Sequence, residues 1–500
     1  RHLYGPRAAY GYEVVEEDTV VMTRSNGQQM ELNRGQSRAV AHYLDEEAPG
    51  LCVESPPGSG KTTTAAAMAL KLMERQSEGL QLLLAVPNVA VANMAKALDD
   101  FNVTGKLRAY HHVSDPWLRR ASDEGLSPFD SASILKNNPL KWSIGKSGEG
   151  VGDVRRYLAA VQQARLLQRR RSTLTEREKD KLKRFHRTAN ELHDRVVNIV
   201  LRWIDPLVVL CTVDMALVFM GIIRQRESSP RECHVQADDG KASSYMRSKL
   251  STATHVIVDE ASQLTEASLV ALMLMFPKAT KLVLIGDVKQ LPPFMFESGV
   301  LGHEMAARAA LSVAMHKANL PVVALNEVYR APPSLVQIYS ELFYGVGLSS
   351  SSSTASERLR SRNGLRHGER PIIEKILISF SSEVHNRTVC RVSQAELEAL
   401  KRLLARLHRA KVDGSSIMII CMYKAQKQLV ERALDREKKY EILTVDSAQG
   451  RERPIVVLLT TREKFGSESF FACEKRCNVA VSRQKDALVI IGSKTALEQV

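Results

Sequence analysis

The chain has 500 residues, of which 44% are hydrophobic and 25% are charged, and its formal net charge is +14. This is the composition of an ordinary globular protein with more than one domain and enough apolar residues to bury a sizeable core. The basic excess favours a polyanionic partner, although charge alone does not distinguish a nucleic acid from an acidic membrane surface.

Cysteine spacing and hydropathy exclude further classes. The seven cysteines are scattered, several of them in apolar runs, and none forms a CxxC pair. This pattern indicates packed thiols in a reducing compartment and argues against a disulfide framework or a zinc site. The longest apolar stretch, 207–223, is short for a membrane span and contains Thr212 and Asp214, so it predicts a buried strand followed by a helix. Because the chain begins with Arg1, we expect a piece of a longer protein, whose N-terminal targeting signal this sequence does not include. The cysteine pattern favours an intracellular location, in the cytoplasm or nucleus.

The N-terminal segment predicts a small β element and then a helix. Two short β-type runs, Tyr10–Val15 and Thr19–Met22, suggest that residues 1–30 are the remnant of an accessory β subdomain. The helix at 32–40 carries Gln36 on its apolar face. A glutamine amide can both donate to and accept from an adenine edge, but glutamines are also common on helices for no such reason.

The stretch CVESPPGSGKTTT at 52–64 predicts a strand, a phosphate-binding loop and a helix start. Gly58 and Gly60 let the backbone curl so that several N–H groups point at one anion, Lys61 supplies positive charge, and Thr62 offers a hydroxyl to Mg²⁺. Ser55 replaces the first glycine of the GxxxxGK[ST] pattern, which we interpret as a variant. The alternative, a simple turn before an Ala-rich helix, does not account for the whole string.

The next elements give a βαβ rhythm that is then interrupted. Gln81–Val86 is a continuous apolar run, typical of a strand covered on both faces, and a helix follows from 89. Residues 104–206 break the rhythm. Between Asp153 and Arg187 there are twelve Lys or Arg residues and four acidic residues, a net charge of +8.

The spacing within this insert predicts a helical hairpin. Thr175 and Glu178 stand at the spacing of a capping box, which places a turn at 172–175 between two helices. The basic faces of the hairpin either contact nucleic acid directly or form a solvated charged surface, and the sequence leaves both possibilities open.

Three further apolar runs end in polar residues. The run 208–211 ends at Thr212, the run 255–258 ends at Asp259 and Glu260, and the run 281–285 leads to Gln290. Ligands of open parallel sheets lie beyond the carboxyl ends of the strands.

These polar residues suit ATP hydrolysis, which needs a metal anchor, a water activator and positive charge on the transferred phosphoryl group. Asp259 can hold Mg²⁺ opposite Thr62, and Glu260 can take the proton of the attacking water. Gln290 can contact the γ-phosphate, or it is merely a loop amide.

The second half repeats the strand pattern without a second phosphate-binding loop. Its predicted strands are Val322–Leu325, Ile417–Cys421, Ile442–Val445, Ile455–Leu459 and Leu488–Ile491. The fold class is therefore α/β, with two tandem doubly wound parallel-sheet domains at 31–317 and 318–500 and the helical insert at about 104–206. The serine run 349–353, within a polar span that extends to about 370, predicts a mobile surface loop.

Two arginines of the second domain are candidate phosphate ligands. Arg330 and Arg483 each carry a planar, permanently charged group that suits phosphate oxygens. Arginines supplied by another domain would make catalysis conditional on domain closure. Each alone would more often be a surface ion-pair partner.

Taken together, the motifs resemble those of superfamily 1 helicases of subgroup B, and more narrowly the group of the nonsense-mediated-decay helicase, senataxin and the immunoglobulin-mu-binding helicase. The resemblance covers residues 31–495 in the family's order. It rests on LNRGQ at 32–36, GSGKT at 58–62, DEASQ at 259–263, GDVKQLPP at 286–293, VYR at 328–330, YKAQ at 423–426, TVDSAQGRE at 444–452 and NVAVSRQK at 478–485.

The resemblance implies RecA-like domains, ATP and Mg²⁺ as cofactors, and a set of site residues. The implied nucleotide-binding residues are Gln36, Pro57, Gly58, Ser59, Gly60, Lys61, Thr62, Thr63, Tyr329, Gly450 and Glu452. The implied catalytic residues are Lys61, Asp259, Glu260, Gln290, Arg330 and Arg483, with Thr62 and Asp259 as the Mg²⁺ ligands. The residues implied to contact single-stranded nucleic acid are Pro87, Asn88, Thr212 and Ser447.

The implied function is an ATP-dependent helicase or translocase that moves on single-stranded RNA or DNA, 5′ to 3′. We expect a monomer that acts away from membranes and binds protein partners through its insert or through segments beyond this chain. The sequence departs from the family pattern at Ser55, Ala92, Val328 and Pro454, and the last two bear on unwinding more than on ATP turnover. An ATPase that remodels ribonucleoproteins with little unwinding, or a scaffold whose ATPase has decayed, are the alternatives.

Overall fold

The computed structural model describes residues 19–75, 79–105, 107–113, 127–137, 151–169, 174–221, 240–294, 308–317, 320–345, 347–351, 372–378, 383–385, 390–434, 440–461 and 473–493. The chain forms two compact units. The first comprises Arg1–Val53, Lys61–Gly286 and Pro293–Val323, and the second comprises Glu54–Gly60, Asp287–Pro292 and Ala324–Val500. The predicted run Tyr10–Val15 lies outside the described residues.

The first unit is built on one large sheet. The strands of the first unit are β1 (Val21–Thr23), β2 (Gln29–Glu31), β3 (Gly50–Glu54), β4 (Leu80–Ala85), β5 (Ala109–His111), β6 (Val208–Thr212), β7 (Ala253–Asp259), β8 (Lys281–Gly286) and β9 (Val322–Ala324). Strands β1 and β2 form a short hairpin separate from the large sheet. The helices of this unit are α1 (Arg34–Leu44), α2 (Lys61–Arg75), α3 (Asn88–Asp100), α4 (Ser131–Asn137), α5 (Val151–Arg169), α6 (Glu176–Ile204), α7 (Val213–Phe219), α8 (Gly240–Leu250), α9 (Glu266–Met275) and α10 (Ala310–Lys317).

The sheet of the first unit has seven strands in the order β5-β6-β4-β7-β8-β3-β9. Strand β4 pairs in parallel with both β6 and β7, and its residue Ala85 lies opposite Thr212 on one side and Asp259 on the other. All six residues of β4 are buried, as expected for a parallel strand with both faces covered. The register therefore brings the polar ends of three strands to one edge of the sheet.

One strand differs from its expected place. We expected Val322–Leu325 among the strands of the second domain, but β9 lies at the edge of the first sheet beside β3. The Cys52 N–H donates to the Pro321 carbonyl at 2.9 Å, immediately before this strand. An apolar run identifies a strand but does not identify its neighbours, which is why the sequence assigned it to the wrong sheet.

The basic insert contains the two predicted helices, whereas residues 172 and 173 of the expected turn lie outside the described residues. Helices α5 and α6 pack along each other. Thr175 caps α6: its hydroxyl accepts from the Glu178 N–H, and the Glu178 carboxylate accepts from the Thr175 N–H at 2.8 Å. The capping box is therefore confirmed. The first turns of α6 expose Arg177, Lys179, Lys181, Lys183, Arg184 and Arg187.

The predicted strand and helix at 207–223 are also confirmed. They correspond to β6, which is fully buried, and to α7. Across the part of the chain that the structure describes, no helix combines the length and the apolar character that a membrane span requires.

The second unit contains a smaller parallel sheet. Its strands are β10 (Glu327–Val328), β11 (Ser349–Ser350), β12 (Ile372–Ile378), β13 (Glu383–His385), β14 (Cys390–Val392), β15 (Ile417–Cys421), β16 (Glu441–Thr444), β17 (Arg453–Leu459) and β18 (Gln484–Ser493). Its helices are α11 (Pro333–Tyr339), a π-helical turn (Ser340–Tyr344), α12 (Gln394–Arg409), α13 (Lys424–Ala433), α14 (Val445–Ala448) and α15 (Glu474–Val481).

Five of these strands form a sheet in the order β12-β18-β17-β15-β16, with every pairing parallel. Two parallel sheets flanked by helices confirm the α/β class. Strand β12 is not among the predicted strands. The structure also corrects part of the expected serine loop, because Ser349 and Ser350 pair in parallel with Glu327 and Val328, while 352–371 lie outside the described residues.

Two departures from the family pattern have local structural explanations. Pro454 lies in β17 where the pairing with β18 shifts register, between the pairs Arg453–Gln484 and Ile455–Ala487. A proline lacks the N–H that a ladder needs and is tolerated at such a bulge. Val328 is fully buried in the apolar core of the second unit, a place that suits its aliphatic side chain.

A buried carboxylate secures the carboxyl end of β17. Glu396, in the first turn of α12, is fully buried and accepts from the Thr461 N–H at 2.6 Å and from the Thr461 hydroxyl at 2.9 Å. Thr461 has a φ of 58°, in the left-handed region that non-glycine residues seldom adopt. Burial raises the pKa of Glu396 to about 7, although the hydrogen bonds from Thr461 and Thr460 act in the opposite direction.

We expect Glu396→Gln to change how stability depends on pH. The folded pKa of about 7 exceeds the ordinary value of 4.5, so the stability that the neutral carboxyl contributes is present below pH 4.5 and is lost as the pH rises through 7. Gln is neutral throughout. The free energy of unfolding of the variant relative to wild type should therefore rise by about 3 kcal/mol across this range, since each pKa unit corresponds to about 1.4 kcal/mol. Denaturant unfolding at a series of pH values measures this, and parallel pH curves would contradict it.

Candidate nucleotide-binding and hydrolysis site

The phosphate-binding loop follows β3 and has little room for side chains. Gly58 and Gly60 have φ values of 80° and 85°, in the region that favours glycine. A Cβ added at Gly58 would overlap the Cβ of Arg330. The Tyr329 N–H donates to the Gly58 carbonyl at 2.8 Å. The loop therefore requires glycine at 58, both for its backbone conformation and for the close approach of Arg330.

A pair of hydroxyls explains how Ser55 replaces the expected glycine. The Ser55 and Ser59 hydroxyls lie 2.6 Å apart, and both side chains are fully buried. The Ser59 hydroxyl also donates to the Pro56 carbonyl at 2.9 Å. Since Ser59 Oγ donates to Pro56, the Ser55 hydroxyl donates to Ser59. The substitution thus adds an internal hydrogen bond to the base of the loop.

A lysine, a threonine and two carboxylates meet in the first unit. Lys61 and Thr62 open α2, Asp259 ends β7, and Glu260 follows it with a left-handed φ of 54°. Lys61 Nζ lies 3.1 Å from Glu260 Oε1, and the Thr62 side chain hydrogen-bonds to Asp259. The left-handed conformation turns the chain so that two consecutive carboxylates are both buried at the end of one strand.

Two buried carboxylates side by side are costly as a pair of anions. Burial raises the pKa of Asp259, and the adjacent Glu260 raises it further, whereas Lys61 and the hydrogen bond from Thr62 lower it. A divalent cation would offset this repulsion. The oxygen donors of Thr62 and Asp259 are of the hard type that Mg²⁺ prefers, so the residues present fit a Mg²⁺ ion.

The two predicted arginines are held by hydrogen-bond partners in the second unit. Arg330 Nε donates to Glu452 Oε2 at 2.7 Å and its Nη1 donates to the Ser482 carbonyl at 2.7 Å. Arg483 is 1% exposed and donates to Gln290 Oε1 at 3.1 Å and to the Ser482 hydroxyl at 2.8 Å. The alternative of a surface ion pair is therefore wrong for Arg483.

Glu452 carries two positive neighbours. Burial would raise its pKa, but Arg330 and Lys485 outweigh that effect and lower it to about 2. Lys485 Nζ lies 2.5 Å from Glu452 Oε1, so each carboxylate oxygen has a cation. Glu452 precedes β17, and Ser482 and Arg483 precede β18, so this cluster lies at the amino ends of its strands. The rule that places ligands at carboxyl ends does not predict it.

The structure adds three residues that sequence reasoning did not assign. Asp287 is fully buried, and its Oδ2 accepts from Gln290 Nε2 at 2.7 Å and from the Tyr344 hydroxyl at 2.5 Å. Asn478 Nδ2 donates to the Tyr344 hydroxyl at 2.8 Å. Asp287 and Asn478 lie inside the sequence motifs, and this position could have identified them as site residues. Tyr344 lies outside every motif, so the sequence contains no signal that identifies it.

The remaining predicted nucleotide-site residues occupy varied positions. Gln36 completes a capping box at the start of α1, where its Oε1 accepts from the Asn33 N–H at 3.1 Å. Its amide oxygen is thus engaged locally. Thr63 lies in the first turn of α2, beside Thr62. Gly450 has a φ of 75°, which explains a glycine before Glu452.

The predicted nucleic-acid residues lie at strand ends or helix starts. Pro87 and Asn88 begin α3 directly after β4, and Thr212 ends β6, so all three lie at the same edge of the first sheet. The Thr212 hydroxyl accepts from the Met215 N–H at 3.3 Å and caps α7. In the second unit Ser447 is exposed on α14, and its hydroxyl lies 3.0 Å from that of Thr444.

Comparison with known proteins agrees with these features. Two sequence families, each described as an AAA domain, match residues 36–295 and 307–495. The DNA-binding protein SMUBP-2 of Mesocricetus auratus is 27% identical over 93% of this chain and 43% of its own length. The regulator of nonsense transcripts 1 homolog of Drosophila melanogaster is 25% identical over 93% of this chain and 35% of its own length.

A third relative, the 5′-3′ DNA helicase ZGRF1 of Mus musculus, is 30% identical over 49% of this chain and 13% of its own length. The chain thus spans less than half the length of each of these relatives. The order of the motifs, the presence of two parallel sheets and the family matches agree with one another. The chain belongs to the AAA-domain family of superfamily 1 helicases, in the group that includes SMUBP-2, the regulator of nonsense transcripts and senataxin.

Proposed function

We propose that this chain is the motor part of an intracellular ATP-dependent helicase or translocase that moves 5′ to 3′ on single-stranded nucleic acid. The observation that carries the proposal is the cluster of Lys61, Thr62, Asp259 and Glu260, in which a lysine, a hydroxyl and two buried carboxylates are brought together after a phosphate-binding loop. This is the set of groups that nucleoside triphosphate hydrolysis requires.

Each residue of the cluster has a role in this proposal. The backbone of residues 57–60 and the Lys61 ammonium bind the phosphates, and Thr62 with Asp259 would hold Mg²⁺, which supplies charge neutralisation when bound. Glu260 accepts the proton of the attacking water. Its left-handed backbone and its ion pair with Lys61 fix the carboxylate before reaction, which reduces the reorganisation that catalysis requires.

The second unit would supply positive charge near the transferred group. Arg330 follows Tyr329, whose N–H is bonded to the loop at Gly58. Arg483 is bonded to Gln290, and the charge of each guanidinium is permanent. We therefore propose that Arg330, Arg483 and Gln290 contact the γ-phosphate, and that Glu452 and Gly450 transmit the nucleotide state to the strand.

Nucleic acid would be bound at the edge of the first sheet that Pro87, Asn88 and Thr212 occupy, and at Ser447 of the second unit. The register places Thr212 and Asp259 on either side of Ala85, so in the first unit the proposed strand contact and the metal ligand end neighbouring strands. A short path of this kind would let hydrolysis change the grip on the strand. The assay that tests the function is ATP hydrolysis with single-stranded RNA and single-stranded DNA side by side at fixed salt.

Glu260→Gln should retain ATP binding and abolish turnover. Loss of the proton acceptor is expected to lower kcat at least about 100-fold, the usual scale of general-base catalysis. The matched control is Glu266→Gln, since Glu266 is also buried and also ion-paired, with Arg308 at 2.7 Å. Its kcat should stay close to wild type. Phosphate release and nucleotide binding measured on both variants decide the matter, and turnover retained in Glu260→Gln would remove this residue from its role.

The basic face of α6 should contribute to strand binding. Lys181, Arg184 and Arg187 are exposed and follow one another at helical spacing. Replacing all three by Ala should weaken binding of a single-stranded oligonucleotide and reduce the slope of log affinity against log salt by about 2, because each phosphate contact to a single strand contributes about 0.7.

The matched control for the α6 variant removes the same charge elsewhere. Arg402, Arg406 and Arg409 are exposed on α12 and are replaced by Ala in the same way. The slope should stay unchanged in this control. If both triple variants lower the affinity equally, the insert acts only through the net charge of the protein and makes no direct contact.

A further inference from the structure

We propose that Tyr344 is a positioning residue for ATP hydrolysis, acting through Asp287 on the orientation of Gln290. The inference rests on the proposed function, because it assigns a support to a residue of the hydrolysis site. The observation behind it is a continuous hydrogen-bonded chain within the second unit, which runs from Tyr344 to Asp287, then to Gln290 and Arg483.

The direction of every bond in the chain is fixed by chemistry. Asp287 accepts three times: at Oδ2 from the Tyr344 hydroxyl at 2.5 Å and from Gln290 Nε2 at 2.7 Å, and at Oδ1 from the Lys289 N–H at 2.9 Å. Because the Gln290 Nε2 is held by a carboxylate, its Oε1 must point the other way. There it accepts from Arg483 Nη2 at 3.1 Å. The Gln290 amide therefore has one orientation.

Tyr344 is placed by an unusual backbone element. The π-helical turn Ser340–Tyr344 continues α11, and Gly345 ends it with a φ of 61°. Such turns carry a local cost and occur frequently at functional sites. The Tyr344 hydroxyl also accepts from Asn478 Nδ2 at 2.8 Å, and the same amide nitrogen donates to the Lys289 carbonyl at 3.0 Å. The tyrosine thus joins three segments: the π turn, residues 287–290 and α15.

Protonation supports the donor role. Burial raises the pKa of Tyr344, and the neighbouring Asp287 raises it further, so the phenol keeps its proton. Without this hydroxyl, Asp287 Oδ2 would keep the Gln290 amide and Oδ1 would keep the Lys289 N–H, but the carboxylate would lose the hydrogen bond from Tyr344. The acceptor that orients Gln290 would then be held less firmly.

The test is Tyr344→Phe, which keeps the ring and removes only the hydroxyl. The matched control is Tyr339→Phe. Tyr339 lies at the other end of the same turn, is 1% exposed, and packs its ring edge-on against Tyr344 at 6.5 Å. Among the residues that the structure describes, its hydroxyl has no hydrogen-bond partner. Removing it should therefore cost no hydrogen bond.

We expect Tyr344→Phe to lower kcat of strand-stimulated ATP hydrolysis at least about 10-fold, the effect of losing one hydrogen bond to a charged group. The KM for ATP should change less than kcat, since the loop that binds the phosphates is untouched. Tyr339→Phe should match wild type in both parameters. A purely structural loss would instead lower the thermal midpoint of Tyr344→Phe without this division between kcat and KM.

A double-variant cycle separates positioning from a general effect. In a Gln290→Ala background the Tyr344→Phe change should cause no further loss of kcat, because the residue it positions is gone. Asp287→Asn provides a second variant, expected to lower kcat and to be non-additive with Tyr344→Phe. Wild-type kcat in Tyr344→Phe, or full additivity with Gln290→Ala, would overturn the role of Tyr344 while leaving the proposed function intact. A wild-type protein that hydrolyses no ATP in the presence of single strands would overturn both.

Discussion

The close approach of the chain to Gly58 is the constraint on which the placement of Arg330 in the second unit depends. The Gly58 carbonyl accepts from the Tyr329 N–H, and the absence of a Cβ at 58 leaves the space that Arg330 occupies. This contact joins a phosphate-binding loop to a segment that carries an arginine. Since backbone atoms make the bond, it fixes the position of Arg330 independently of side-chain rotamers. Glu452 and the Ser482 carbonyl then set the direction of the guanidinium.

Charge compensation within each unit accounts for most of the remaining geometry. In the first unit Lys61 and Thr62 stand against two adjacent carboxylates, and in the second unit Arg330 and Lys485 stand against one. Burying charges such as those of Asp259 and Glu260 is costly, and a hydrophobic core of equal volume would often be as stable. The charges therefore point to chemistry. Asp259, whose pKa is raised by burial and by its neighbour Glu260, is suited to binding a cation. Glu452, which is held ionised by Arg330 and Lys485, is suited to orienting those two side chains.

The sequence predicts this protein well where the physical signal is local. Buried parallel strands such as β4 and β6 are continuous apolar runs, and the cap of α6 lies within four residues, so neither depends on distant contacts. The predictions were wrong where the pairing between distant strands decides the structure. Val322–Ala324 was assigned to the wrong sheet, β12 was overlooked, and Ser349–Ser350 form a strand whose composition favours a loop.

The site follows the same division. The phosphate-binding loop, the two carboxylates and the two arginines lie in recognisable sequence motifs, because the chemistry dictates their residue types at fixed spacing. Tyr344 and Asp287 are 57 positions apart, and a tyrosine in a π-helical turn has no distinctive spacing. Ser55, Val328 and Pro454 show the complementary effect: each departs from the family string, and each is explained by a hydroxyl pair, an apolar core or a bulge that only coordinates show. The motif constrains which groups are present, whereas the fold constrains how those groups are held, and all three departures lie at supporting positions and not at the charged residues.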